Sequence, residues 1–253
     1  MKENFKFKII ILGSSADKAI LEKKGKDRRL RSLAILKFNN KNLLIDAGPD
    51  VKKQLKGFQS LEYLFLTHLH PDHTLGLCYI LEKFPKIKLF IPEQIFKEIK
   101  NKRKFRCIKK IKIETIKEEE FFKIAPDVPI SFSFLKVKHS RLVSTFAIAG
   151  KFKERILFFY APDLKALSKE SKKIFKNAEI LILDGSIFSR PLNVHASIKE
   201  ELSWCKNTKA KKIYFTHIGK NSAKFGHKIL EGKIKAIDKR AGICWDGQEI
   251  KFF

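Results

Sequence analysis

Apolar and polar positions alternate or cluster along the chain in short blocks, and most blocks are too short for anything but strands and small helices. Residues 5–12 (FKFKIIIL) read as a strand ended by Gly13-Ser14-Ser15, and the polar, basic stretch 16–29 reads as a loop with little regular structure. Residues 32–38 and 42–45 predict a hairpin turned at Asn39-Asn40-Lys41. A short helix at 50–55, a strand at 63–66, a helix at 76–83, a strand at 88–91 and a helix at 94–101 follow. The region 102–122 is mostly Lys, Glu, Ile and Phe, and the alternation at 109–114 (KKIKIE) predicts a solvated strand pair there. Strands are expected at 130–137, 144–149 and 155–160, then a helix at 164–175 and a buried strand at 180–183. A helix at 197–206, a strand at 212–215, a helix at 221–230 and closing strands at 234–236 and 247–252 complete the pattern. Without repeats or a linker rich in Pro, Gly or Ser, one α/β domain over residues 1–253 is the simplest organisation.

Composition narrows the class. With 253 residues, 44% of them hydrophobic and 23 Phe, the chain can bury a core, which argues against disorder despite 32% charged residues. No apolar run approaches the roughly 18–20 residues of a membrane span, and residues 9–12 are too short for a signal-peptide core. Cys78, Cys107, Cys205 and Cys244 show no CxxC spacing and read as free thiols of a reducing, cytoplasmic compartment. The net charge of +27, from 54 Lys+Arg against 27 Asp+Glu, suggests a polyanionic partner but equally fits a Lys-rich composition.

The densest chemistry lies in Thr67-His68-Leu69-His70-Pro71-Asp72-His73, where four candidate metal ligands follow a buried strand within six residues. One such loop supplies only two ligands to each of two metals. His139, Asp163 and His217 also sit directly after apolar strands, where strand ends at one sheet edge converge. The HxHxDH signature, with Asp46 in Leu44-Ile45-Asp46-Ala47-Gly48 and the later His139, Asp163 and His217 in the same order, resembles the metallo-β-lactamase-fold hydrolases. The resemblance spans the whole chain and implies an αββα sandwich, two mixed β-sheets flanked by helices. It also implies a dinuclear site: His68, His70 and His139 on one metal, Asp72, His73 and His217 on the other, Asp163 bridging, and Asp46 orienting ligands. Two divalent cations are expected, zinc first, with manganese or iron as alternatives; between them a water becomes hydroxide at neutral pH.

The flanking motifs, including Leu12-Gly13-Ser14-Ser15, the Arg-rich 26–32 segment and Trp245-Asp246-Gly247, are similar to the cyclic-phosphate phosphodiesterase of the carbon–phosphorus lyase pathway and the pyrroloquinoline quinone synthesis protein B group. Members often place several Cys between the first turn and the Arg segment to hold a structural zinc; residues 16–26 contain none, so no structural zinc is expected. His195, about ten residues past Leu183-Asp184-Gly185, matches in position a general acid of the family's nuclease and phosphodiesterase branches, with Glu200 or Glu201 to orient it and Asp72 as the second catalytic candidate. Ser140, Arg141, Arg190 and Lys220 are candidate phosphate contacts. The expected function is a metal-dependent phosphodiesterase cleaving a small cyclic phosphate or nucleotide. A nuclease akin to the tRNA 3′-processing endonucleases is the alternative, followed by a thioester or lactone hydrolase or a non-catalytic nucleic-acid-binding module. The expected partners are a phosphate-containing small molecule or nucleic acid, no membrane, and a second copy in a homodimer as a further candidate.

Overall fold

A computed structural model describes residues 6–252; Phe5, the first residue of the expected opening strand, lies outside them. Two mixed sheets stack face to face. The first holds strands β1 (Phe7–Gly13), β2 (Leu33–Phe38), β3 (Lys41–Ile45), β4 (Tyr63–Phe65), β5 (Lys88–Pro92) and β6 (Lys112–Ile116). The second holds β7 (Phe122–Lys123), β8 (Ile130–Lys138), β9 (Thr145–Phe152), β10 (Arg155–Tyr160), β11 (Ala166–Leu167), β12 (Ile180–Asp184), β13 (Lys212–Thr216) and β14 (Ala241–Ile243). The last strand, β15 (Gln248–Lys251), returns to the first sheet beside β1, giving the orders β15-β1-β2-β3-β4-β5-β6 and β11-β8-β9-β10-β12-β13-β14, with β7 paired to β8. Each sheet starts antiparallel and ends with parallel strands joined by helical crossovers.

The alternating strands fill two layers. Phe132, Phe134, Phe146, Ile148, Phe158 and Tyr160 face the first sheet, where Phe65 meets the rings of Phe90, Phe122, Phe132 and Phe134. Ala147, Ala149, Phe159, Leu181 and Leu183, one residue out of phase, face the helices α5 (Lys169–Asn177), α6 (Ile198–Cys205) and α8 (His227–Lys235). Helices α1 (Val51–Gln54), α2 (Pro71–Thr74), α3 (Leu77–Lys83), α4 (Glu93–Ile99) and α7 (Lys220–Ala223) complete the chain.

Several expectations need correction. Residues 234–236 end helix α8: Leu230 and Ile234 are four apart and bury one helical face, a period that three residues cannot reveal. The helix expected at 221–230 is split into α7 and α8 at Gly226, whose φ of 72° breaks the spiral. Residues 103–110 form a 3₁₀ segment that buries Phe105 and Ile108, and β6 and β7 belong to different sheets, so there is no strand pair at 102–122. Cys78 and Cys107 are not free thiols; they form a disulfide joining α3 to the 3₁₀ segment. Cys205 and Cys244 are free and buried.

The segment 14–32 is pinned without cysteines. Arg29 is 2% exposed and donates to Ser14 Oγ (2.7 Å), the Cys244 carbonyl (2.5 Å) and His227 Nδ1 (3.1 Å). Asp246 accepts from Ser14 Oγ at 2.8 Å and from the Leu30 amide at 2.6 Å, while Asp27 accepts from the His227 amide at 2.7 Å. A buried guanidinium is tolerable only when its donors are met in this way.

Candidate metal centre

The site stands where strands of both sheets end on the same side. Asp46 follows β3, His68 follows β4, His139 follows β8, Asp163 follows β10, Asp184 ends β12 and His217 follows β13. Asp46 and His217 hold positive φ values of 70° and 53°, a left-handed backbone that turns each chain sharply as it leaves its strand. Gly48 lets the Asp46 loop lie against the 68–73 loop: a Cβ there would stand 2.3 Å from the Asp72 carbonyl oxygen. Pro71 opens α2 directly after His70, so His70 stays extended while Asp72 and His73 enter the helix.

All seven residues expected as ligands come together. His68, His70 and His139 form one group and Asp72, His73 and His217 another, the donor atoms within each lying within 4.8 Å of one another. His70 Nδ1 is 3.1 Å from His68 Nε2 and 3.2 Å from His139 Nε2. Asp163 lies between the groups, with Oδ1 3.4 Å from His139 Nε2 and Oδ2 3.0 Å from His73 Nε2 and 3.5 Å from His217 Nε2. Asp72 Oδ2 is 3.5 Å from His73 Nε2 and 3.4 Å from His217 Nε2. His68, His73, His139, Asp163 and His217 are buried; only His70 and Asp72 are partly open to solvent.

This donor set fits divalent cations. His73 Nε2 and Asp163 Oδ2 are buried, face each other at 3.0 Å, and have no hydrogen-bond partner outside the cluster. Imidazole nitrogens converging on one point, with carboxylates between them, are the ligand chemistry of zinc and its neighbours. Asp46 supports the set from behind: it accepts from the Thr67 amide (2.8 Å) and hydroxyl (2.9 Å) and from His73 Nδ1 (2.7 Å), which directs His73 Nε2 into the cluster.

The charges sort accordingly. Burial and the neighbouring imidazoles hold His68 and His70 below the usual histidine range. His217 is raised to about 10, because Asp163 and then Asp184 and Asp72 outweigh its burial. His73 is likewise raised, its burial overcome by Asp46 and Asp163. Burial favours the neutral acid in Asp163 and Asp72, yet the histidines around them hold both well below the ordinary carboxylate range.

His195 stands at the edge of the cluster, its ring 4.7 Å from that of His139 and 5.9 Å from that of His217. Its Nδ1 is 2.6 Å from Asp184 Oδ2. Burial alone would lower the His195 pKa, but Asp184 reverses this and the net shift is upward. Asp184 is therefore the orienting residue, in place of Glu200 or Glu201. Glu200 is consumed in a capping box with Ser197, and Glu201 is buried in α6. Asp184 also accepts from the Leu164 and Ser186 amides and is held at about 2 against the effect of its burial, chiefly by His195 and His217.

Two clefts hold the candidate phosphate contacts that lie near the cluster residues in sequence. One, of about 640 Å³, adjoins His139 and is lined by Ser140 and Arg141 among others. The other, of about 470 Å³, is lined by Ile218 and Lys220, which follow His217 in sequence, and by no residue of the cluster. Ser140 Oγ accepts from the Leu142 amide at 3.0 Å and so shapes its own loop. Arg190 is exposed on the 188–193 loop and lines neither cleft.

A family model described as the beta-lactamase superfamily domain matches residues 41–218, a span that contains every residue of the cluster. The chain belongs to this family. Among solved structures of the fold, a diphosphatase from the PhnP family superposes with a TM-score of 0.78 at 21% identity, covering 98% of each chain. Zn(2+)-bound PqqB from Methylobacterium extorquens gives 0.78 at 16% identity, covering 96% of this chain and 99% of its own. The short form of human tRNase Z gives 0.69 at 17% identity, covering 97% and 99%. At these identities the likeness is one of fold. Ribonuclease Z of Archaeoglobus fulgidus is 32% identical over 80 residues, 30% of this chain and 24% of that protein. Hydroxyacylglutathione hydrolase 1 of Vibrio vulnificus is 43% identical over 61 residues, 23% of this chain and 25% of that protein. The chain thus spans about a quarter of the length of these two curated relatives.

Proposed function

We propose that the protein is a metal-dependent hydrolase of phosphodiesters. The observation that carries this reading is the His195–Asp184 pair, closed at 2.6 Å, beside the seven-residue cluster. His68, His70 and His139 would hold one divalent cation, Asp72, His73 and His217 a second, and Asp163 would touch both. Bound there, the cations supply a water of lowered pKa and neutralise charge on the phosphoryl oxygens.

The protein's own groups do the rest. The Nδ1–H of His195 donates to Asp184, so when the ring is protonated its second nitrogen is free to donate toward the substrate. Asp184 shifts the His195 pKa upward against the effect of burial, which favours the protonated ring. As the water oxygen bonds to phosphorus and the P–O bond to the leaving group breaks, the leaving oxygen takes the bonding pair and the His195 proton and departs as an alcohol. His195 recovers the proton that the water gives up, by way of solvent. A carboxylic thioester has a leaving thiolate that needs no such acid, which is why the pair favours an alkoxide leaving group. The human tRNase Z, similar in fold, and the archaeal ribonuclease Z, similar over part of the sequence, support a phosphodiester substrate, and the PhnP-family diphosphatase supports phosphoryl chemistry more broadly.

Metal-loaded protein should turn over bis(p-nitrophenyl) phosphate and 2′,3′-cyclic nucleotides. Turnover of thioesters or lactones with no phosphodiester cleaved overturns the reading.

A further inference from the structure

The cleft beside His139 differs in charge from the one lined by Ile218 and Lys220. The latter sets Lys18, Lys23, Lys220 and Lys224 against Asp17, Glu22 and Asp27 and is close to neutral. The cleft beside His139 sets Lys136, Lys138, Arg141 and Lys165 against one carboxylate, Glu98, whose Oε1 already accepts from the Ser144 amide at 3.3 Å. Lys136 and Lys138 are exposed on the same face of β8, with buried Val137 between them turned the other way. Among the described residues none of these four cations forms an ion pair. Gathering unpaired cations at one mouth is unfavourable unless an anion relieves it.

The same cleft is tied to His195. Asn193, two residues before it, lines the cleft wall. The Val194 carbonyl is 2.8 Å from His139 Nδ1, and Lys165 Nζ donates to the His195 carbonyl at 3.5 Å. The imidazole lies 4.7 Å from the ring of His139, which lines this cleft, and 5.9 Å from that of His217, which does not. A leaving oxygen must meet His195, so whatever that oxygen carries extends into the cationic side.

We propose that the cleft beside His139 receives the leaving portion of the substrate and that this portion bears phosphate of its own, as in a nucleotide or a nucleic-acid strand. The inference rests on the phosphodiesterase reading above and adds a direction and a charge to the substrate. Lys136 and Lys138 are specificity residues here, acting on the part of the substrate remote from the reacting phosphorus.

The test uses metal-loaded protein with thymidylyl-thymidine and its two singly phosphorylated forms, carrying the extra phosphate on the 5′ or the 3′ end, with bis(p-nitrophenyl) phosphate as the reference. One phosphorylated form should show kcat/KM about tenfold above the plain dinucleotide, and the product should show that the phosphorylated half is the one that leaves as an alcohol. In the Lys136→Ala/Lys138→Ala variant that ratio should fall to near one, whereas a structural defect lowers both substrates alike and leaves the ratio unchanged. Oligothymidylates separate the sources: a further gain with length identifies a strand, and a plateau at one phosphate identifies a nucleotide. Equal kcat/KM for all three dinucleotides, or a preference that survives the double substitution, overturns the proposal and leaves the phosphodiesterase reading standing. No turnover even of bis(p-nitrophenyl) phosphate overturns both.

Discussion

The two sheets furnish the site in different ways. The first supplies four of the seven clustered residues from one loop, His68 to His73, whose shape is set locally by Pro71 at the start of α2 and by the Thr74 hydroxyl donating to the His70 carbonyl at 2.9 Å. The second supplies His139, Asp163 and His217 from three separate strand ends, together with Asp184 from a fourth, and their meeting depends on the register of β8, β10, β12 and β13. A local device is compact, and within it His68 of one trio and His73 of the other already meet, their rings 4.2 Å apart. A distributed device can place one residue between groups, as Asp163 is placed. Substitution Asp163→Asn should therefore have the largest effect of any single change. We expect loss of bound metal and a fall in kcat on the order of 10³-fold or more. His70→Ala, which removes a local member of one trio, should lower metal content less. Equal metal loss in the two variants, read by elemental analysis, would break the contrast.

His195 and Asp184 belong wholly to the distributed half, and the next largest effect falls there. His195→Ala should lower kcat by about 10²–10⁴-fold with metal content unchanged. The pH profile gives the sign. Asp184 raises the His195 pKa against its burial, and the acid works only while protonated, so activity falls as pH rises through that pKa. In Asp184→Asn the raising partner is gone, and this alkaline limb should move to lower pH. A limb that stays in place would mean that another group is the acid.

The same contrast explains what could be read along the chain. The local loop is contiguous, so its ligand spacing is visible at once, and His139, Asp163 and His217 share the mark of following an apolar strand. Asp184 bears that mark too, in Leu183-Asp184-Gly185, yet a turn-forming Asp-Gly pair explains it equally well until the register of β12 with β13 puts it beside His195. Glu200 and Glu201 were closer to His195 in sequence, but helical geometry turns them to the cap and the core of α6. Most strands were legible because both sheet faces are apolar at alternating phases. Failures fell on short amphipathic pieces, where three residues such as 234–236 fit a strand and a helix end alike.

Asp46 tests how far the local half depends on its support. It holds the Thr67 amide and hydroxyl and directs His73, but it is not a member of either trio. Asp46→Asn keeps the shape and removes the charge that fixes the His73 ring. A metal titration should show affinity lower by about 10–100-fold, with kcat restored at saturating metal. Unchanged affinity would mean that the loop backbone alone orients His73.

The Cys78–Cys107 disulfide offers the smallest expected effect on the site and the clearest separation of stability from chemistry. Cys78 lies in the first turn of α3, five residues past His73, and its partner lies in the 3₁₀ segment 103–110, 29 residues away in sequence. Closing a loop of that length restricts the unfolded chain by about 3.6 kcal/mol in the chain-entropy model. The folded site gains little from it, because His68 to His73 are held by Asp46, Pro71 and Thr74. Cys107→Ser should therefore lower the midpoint of denaturant unfolding in oxidising buffer and leave it unchanged in reducing buffer, where the wild-type bridge is itself open. Turnover and metal content should stay within about twofold in both buffers, since substitutions whose effect lies in the unfolded state do not alter native contacts. A parallel loss of metal would show that the bridge also positions α3 and, through it, the local half of the site.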